Sequence, residues 1–172
     1  MSDPLEPLAM LTGSIVTRLN ACCKFDQADP VIPVLEENLS DLTVQFQNAI
    51  TSRAGLAILV LTPQFDLGDQ PEIVEPRITL HICENVVENQ SDKGAQFSAL
   101  RAAWLIYFTL LRWAPPGWSV LLPLEGQRPV SQLGAGPAKL TSGVEIPYLI
   151  TYEVVLGTSA VFSLQAVTPP SP

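Results

Sequence analysis

The chain has 172 residues, which is enough for one domain with a sizeable hydrophobic core. Its 17 acidic and 9 basic residues give a net charge of −8, and this balance argues against a general affinity for nucleic-acid phosphates or anionic lipid. Only 15% of the residues are charged, against about 25% in a typical soluble domain. Two interpretations follow: a monomer with a large core, or a subunit whose surface is partly covered by partners.

The hydrophobic pattern predicts helices and strands that alternate along the first half of the chain. Apolar residues at helical spacing, beginning with Leu8 and Leu11, predict the first helix, and Pro33 places the following strand at a sheet edge. The predicted elements are a helix over 7–21, a strand over 31–35, a helix over 40–51 and a strand over 56–61, the last one buried on both faces.

Strands dominate the predicted second half. The segment 77–83 alternates, with Ile78, Leu80 and Ile82 on one face, which is typical of a half-buried strand. A long helix over 100–113 ends at Pro115 and Pro116. We expect further strands over 118–122 and 146–156, a polar connection over 85–94, and loops over 64–75 and 125–143, the second loop with a short strand at 130–133.

The helix over 100–113 is apolar on almost every side. One stripe, which we assign to the core, contains Leu100, Trp104, Tyr107, Phe108 and Leu111. A second stripe on the opposite side contains Ala102, Leu105, Ile106, Thr109 and Trp113. A helix of a small domain needs one apolar face for its own core, so the second predicts a subunit interface at Leu105, Ile106 and Trp113, with Trp113 as the anchor.

These elements predict an α+β fold with a single mixed, largely antiparallel sheet and helices packed on a face. We expect one domain over 1–165 and a disordered, proline-rich tail over 166–172. The acidic first residues do not resemble a signal peptide, and the longest apolar run is too short for a membrane helix. We therefore expect folding in the cytoplasm and no membrane partner.

Residue types that carry chemistry occur without a recognisable arrangement. Cys22, Cys23 and Cys83 lack metal-ligand spacing, and His81 lies in mid-strand with no serine or cysteine in a recognisable nucleophile elbow. Cys83 is on the same face two residues away, where a Cys–His pair would point along the sheet. The acidic groupings Glu36–Glu37 and Asp66 with Asp69 are interpreted as solvated charges. The sequence therefore predicts a protein that is not an enzyme, with no catalytic, metal or cofactor site.

The order of elements resembles that of the tail terminator (tail completion) proteins of tailed bacteriophages and related contractile injection particles. The resemblance covers about 8–158 and lies in the opening helix with IVTRL, the strand RITLHICENV, the helix ALRAAWLIYFTLLRW, the segment PPGWSVLLPL and the closing strand YLITYEVVL. It is a likeness of arrangement, since this family is defined by fold more than by signature residues.

The resemblance implies a structural virion protein whose copies form a ring, expected to be hexameric, that caps the tail tube, stops its polymerisation and joins it to the head connector. The implied partners are further copies of the chain, the tail tube protein and head-tail connector or neck proteins, and DNA would pass without specific binding. Candidate contact residues in the two loops are Phe65, Asp66, Asp69, Gln127 and Arg128.

Three other functions remain open at this point, and one of them is an enzyme of unknown type, which could depend on His81. The chain could be a different neck or sheath-associated subunit of the same kind of particle. It could also be a binding module or assembly chaperone that covers an apolar surface of another protein and stays monomeric when alone.

Overall fold

One seven-stranded mixed sheet organises the part of the chain that the computed structural model describes, residues 6–67 and 72–162. The helices are α1 (Glu6–Cys23), α2 (Leu42–Thr51), α3 (Val86–Asn89) and α4 (Ala99–Leu110), with a 3₁₀ turn at Phe25–Gln27. The strands are β1 (Val34–Glu36), β2 (Leu56–Val60), β3 (Gln64–Leu67), β4 (Ile73–Asn85), β5 (Val130–Lys139), β6 (Glu145–Gly157) and β7 (Ala160–Val161).

The sheet has the strand order β1-β2-β4-β6-β5, and β3 and β7 both pair with the first part of β4. Only the β1–β2 pair is parallel among the described pairs, while all others are antiparallel. This confirms the predicted α+β class with a mixed, largely antiparallel sheet. Strand β1 lies at the edge, as the proline before it indicated.

The main core lies between the sheet and two helices, α1 and α4, that pack on the same face. Alternation along β4 directs Ile78, Leu80 and Ile82 to this face, and all three are fully buried, as the sequence predicted. The helices contribute the buried side chains Leu11, Ile15, Leu19, Ile106 and Leu110.

Helix α2 packs on the opposite face of the sheet. Its Ala49 and Ile50 form a second, smaller core with Ala57, Cys83 and Ile146. Ala57 and Cys83 are cross-strand partners, adjacent in sequence to residues of the main core, so they point to the other side. The helices are therefore divided between the two faces, with α1 and α4 together.

Several predicted boundaries are wrong in the second half of the chain. The segment 125–143 contains a ten-residue strand, β5, rather than a loop with a short strand. Its glycines are tolerated because β5 is an edge strand whose pairing with β6 shifts register twice, near Gly134 and Gly136. Conversely, the expected strand over 118–122 is reduced to one bridge between Leu122 and Gly157.

The connections around β4 also contain more regular structure than the sequence predicted. The polar segment 64–75 includes β3 and the start of β4, and the connection 85–94 contains the short helix α3. The predicted tail over 166–172 lies outside the described residues.

Two side chains fix the start of α4. The Ser98 hydroxyl accepts a hydrogen bond from the backbone N–H of Arg101 (3.3 Å), and the buried Glu84 carboxylate accepts one from the N–H of Ala99 (2.7 Å). Both bonds satisfy donors that a helix leaves free in its first turn. The helix ends at Leu110, two residues before Arg112 adopts a left-handed backbone (φ 62°).

Candidate assembly surfaces

The outer side of α4 is apolar and open to solvent. Four large side chains on it are exposed: Leu100 by 43%, Trp104 by 42%, Leu105 by 37% and Phe108 by 65%. The rings of Trp104 and Phe108 stack at 5.7 Å between centroids, so they form one raised aromatic ridge. We call Leu100, Arg101, Trp104, Leu105 and Phe108 the α4 surface. The solvent-facing side of a helix in a soluble monomer is normally polar, and a contiguous apolar patch marks an interaction site.

The charges on and beside the α4 surface are positive. Arg101 lies on it and extends over the ring of Phe97, with its guanidinium 4.8 Å from the ring centroid, and the exposed Arg112 follows the end of the helix. The sequence holds no acidic residue between Gly94 and Leu124. In a chain of net charge −8, the segment that contains α4 is therefore apolar and carries only basic charges.

The structure reverses much of the predicted assignment of the two stripes. Ile106, proposed for the subunit interface, is fully buried in the chain's own core, whereas Trp104 and Phe108, assigned to the core, are exposed. The reason is that the small side chains of α4, Ala99, Ala102 and Ala103, face the sheet and α1 and allow close packing. Leu105 is exposed, as the interface prediction requires.

Trp113, the predicted anchor, does not lie on the α4 surface. It follows the end of α4 and is partly buried. Its backbone N–H donates a hydrogen bond to the carbonyl of Leu110, and its carbonyl accepts one from the N–H of Leu121. Its ring packs against the guanidinium of Arg18 on α1 at 5.6 Å. Trp113 thus lies beyond the end of α4 and forms part of the wall of a separate feature beside α1, so its place on the outward stripe of the helix is wrong, while its place in a subunit interface stays a prediction.

A cleft of about 820 Å³ runs along the outer side of α1. We call it the α1 cleft. Its walls are Arg18, Glu36, Trp113 and Pro116, and small or flexible side chains line the helix itself. Ala9, Gly13, Thr17 and Ala21 recur every four residues on α1, so no bulky side chain fills the groove. The Glu36 carboxylate accepts a hydrogen bond from Thr12 (2.9 Å), which holds it at the edge of the cleft.

The predicted contact loops meet at the end of the sheet where β4 begins. Phe65 lies in β3 opposite Pro76, is 42% exposed, and lines a second groove of about 350 Å³ together with Glu37. On the other side of β4, the Gln127 side-chain oxygen accepts a hydrogen bond from Arg77 Nη2 (3.0 Å).

The remaining loop residues have different positions. Arg128 is exposed next to Gln127. Asp66 lies in β3, in register with Glu75 of β4, and Asp69 lies outside the described residues.

Groups that could support chemistry are scattered. His81 on β4 and Glu153 on β6 are cross-strand neighbours, with His81 Nε2 3.5 Å from Glu153 Oε2. Burial raises the pKa of the Cys83 thiol, an effect partly offset by the Thr151 hydroxyl, which donates a hydrogen bond to the sulfur. Burial likewise raises the pKa of Cys23. In residues 6–67 and 72–162, no three histidine, cysteine or acidic side chains come together in a way that could hold a metal ion.

Comparison with known protein families finds no family that matches the chain, and comparison with curated proteins finds no match either. Among the described helices, none is long and apolar enough to cross a membrane. The assembly surfaces described above therefore carry the functional argument by themselves.

Proposed function

We propose that the chain is a ring-forming structural subunit of a phage-type tail, a tail terminator that caps the tail tube and joins it to the head connector. The single observation that carries this proposal is the exposed aromatic ridge of the α4 surface. A monomer gains nothing from leaving Trp104 and Phe108 in water, whereas neighbouring copies in a ring could cover them.

The clustering of the contact segments supports the same proposal. A terminator needs one surface that matches the tube subunit and a different surface that meets its own neighbours. Phe65 and Gln127 lie at the end of the sheet where β4 begins, whereas the α4 surface lies on the outer side of the helical layer. The chain therefore offers distinct places for the two kinds of contact.

The net charge is compatible with a channel for DNA. A subunit of charge −8 has little general attraction for phosphates, so DNA would pass a ring of such subunits without being held. The two arginines of the α4 side would be covered by neighbouring copies in this arrangement.

The test is a tube elongation assay. A tail tube protein is polymerised with and without the purified chain, and tube lengths and ends are measured by negative-stain electron microscopy. We expect shorter tubes with a ring at one end. The variant Phe108→Glu should lose both the ring and the shortening, while Val44→Glu, which places the same charge at an exposed valine on the opposite side of the sheet, should retain both.

Other outcomes would favour the alternatives. Rings that decorate the tube without shortening it would indicate a neck or sheath-associated subunit. A chain that stays monomeric and forms a soluble complex with tube subunits would indicate an assembly chaperone. Tubes that grow normally, with no bound chain, would contradict the proposal.

A further inference from the structure

We propose that the α4 surface of one copy docks into the α1 cleft of the next copy, head to tail. This inference rests on the proposed ring, because it names the partner of the α4 surface. It concerns two different features of the same chain: a ridge that no other part of the described chain covers, and a groove that no other part of it fills.

Shape is the first argument. The ridge consists of the stacked rings of Trp104 and Phe108, flanked by exposed leucines. The cleft has a floor of small residues, and a Cβ atom built on Gly13 would meet only Glu36 Oε1, at 3.9 Å. Bulky side chains on one surface and a groove without them on the other can interdigitate, as the ridges and grooves of packed helices do.

Charge is the second argument. The α4 surface carries Arg101, and the exposed Arg112 follows two residues after the end of the helix. The outer side of α1 is bordered by carboxylates: Glu36 at the cleft edge, Glu37 in the adjoining groove, and the exposed Glu6, which shares the helical face of Met10 and Gly13. The cleft's own arginine, Arg18, packs on Trp113. Two arginines would thus face three carboxylates and one arginine on the α1 side, a net negative charge, and such complementarity fixes orientation and register.

The arrangement explains why assembly could continue past two copies. A contact between two different surfaces leaves one ridge and one cleft free at the ends of every chain of subunits. Such a heterologous contact generates a closed ring when the rotation between neighbours divides a full turn, and a filament when it does not. A contact of the ridge with its own copy would stop at a dimer.

Two variants separate these cases. Phe108→Glu places a carboxylate on the ridge and blocks it. Gly13→Lys fills the cleft and pairs with Glu36, and it should fold well because lysine is a better helix former than glycine. The control Thr51→Lys adds the same charge at an exposed position of α2, on the other side of the sheet. Thermal unfolding of each variant verifies that it is folded.

The association states are measured by sedimentation velocity over a series of concentrations up to the solubility limit. The wild type and Thr51→Lys should form oligomers larger than dimers, and each blocked variant alone should be monomeric. A mixture of the two blocked variants should form a one-to-one heterodimer, because the intact ridge of Gly13→Lys docks into the intact cleft of Phe108→Glu.

The inference is wrong if the mixture stays monomeric, if the wild type stops at a dimer, or if the wild type does not associate at any concentration. Its failure is distinguishable from failure of the proposed function. If the wild type shortens tubes but the two blocked variants form no heterodimer, the terminator function stands and the ridge–cleft contact is wrong. If the heterodimer forms but the wild type has no effect on tubes, the contact stands and the terminator function is wrong.

Discussion

The buried carboxylate of Glu84 offers the sharpest test of how the fold positions the α4 surface. Glu84 is 3% exposed, and both of its oxygens accept hydrogen bonds: Oε2 from the backbone N–H of Ala99 at 2.7 Å and Oε1 from Gln90 Nε2 at 3.0 Å. The first bond satisfies a donor in the first turn of α4, where the helix dipole also favours negative charge. The carboxylate therefore ties the end of β4 to the start of the helix.

Glu84→Ala removes both bonds and leaves the fully buried N–H of Ala99 without a partner. An unsatisfied buried donor costs about 1–3 kcal/mol, and the lost side-chain volume adds to this. We expect a loss of about 3 kcal/mol in the free energy of unfolding. In Glu84→Gln the new amide oxygen can still accept the hydrogen bond from Ala99, but the new amide nitrogen then faces the side-chain nitrogen of Gln90, and both are donors. We therefore expect a smaller loss, about 1–2 kcal/mol in the free energy of unfolding.

The assay is urea denaturation followed by tryptophan fluorescence, with exposed Glu145→Gln as the control. The control should change the free energy of unfolding by less than about 0.5 kcal/mol. If both Glu84 variants match the control, the carboxylate does not hold the helix start, and the physical account of how α4 is placed is wrong.

Three further predictions follow from burial and charge. Ile106→Ala should lower the free energy of unfolding by about 2–5 kcal/mol in thermal or urea melts, because it opens a cavity in the main core, while Leu105→Ala should cost under about 1 kcal/mol and instead weaken self-association measured by light scattering. A maleimide reagent should label the exposed Cys22 quickly and the buried Cys83 only at the rate of unfolding, as mass spectrometry of digested samples would show. Because burial raises the pKa of Cys83, the thiol holds its proton more tightly in the folded state than in the unfolded state. The free energy of unfolding should therefore fall as the pH rises above 9.0, the ordinary thiol pKa, by at most about 1.4 kcal/mol per pH unit. A pH series of urea melts should show a smaller fall for Cys83→Ala.

The fold could be predicted from the sequence where one period dominates a segment. Ile78, Leu80 and Ile82 alternate, and Leu11, Ile15 and Leu19 recur every four residues, and all six residues lie in the main core. The strand β5 was missed because its pattern is weak. It is an exposed edge strand, and its pairing with β6 depends on residues distant in sequence.

The candidate site was harder to predict because α4 has two apolar faces. The 3.6-residue period identifies both but does not decide which one turns inward. Large rings would normally be assigned to the core, yet here Ala102 and Ala103 occupy it and Trp104 and Phe108 do not. One local signal pointed the right way: Arg101 lies between the positions of Phe108 and Leu105 on the helical wheel, and an arginine favours the solvent side. The α1 cleft depends on Trp113 and Glu36, which converge only in the folded chain.

The energetics of the α4 surface also explain why a ring would be needed. Its four apolar side chains are about half exposed, so covering them would contribute roughly 3–6 kcal/mol. Association of two proteins costs an estimated 4–15 kcal/mol in lost freedom of motion, so one ridge seated in one cleft would hold two copies only weakly. The heterodimer of the two blocked variants, which is joined by a single contact, should therefore form only toward the top of the concentration series. In a closed ring the last contact forms without a further loss of that kind, and a tube end that aligns the subunits would reduce the loss again. We therefore expect assembly to depend steeply on concentration when the chain is alone and to become efficient on a template, which is the behaviour that a protein acting only at the end of a finished tube requires.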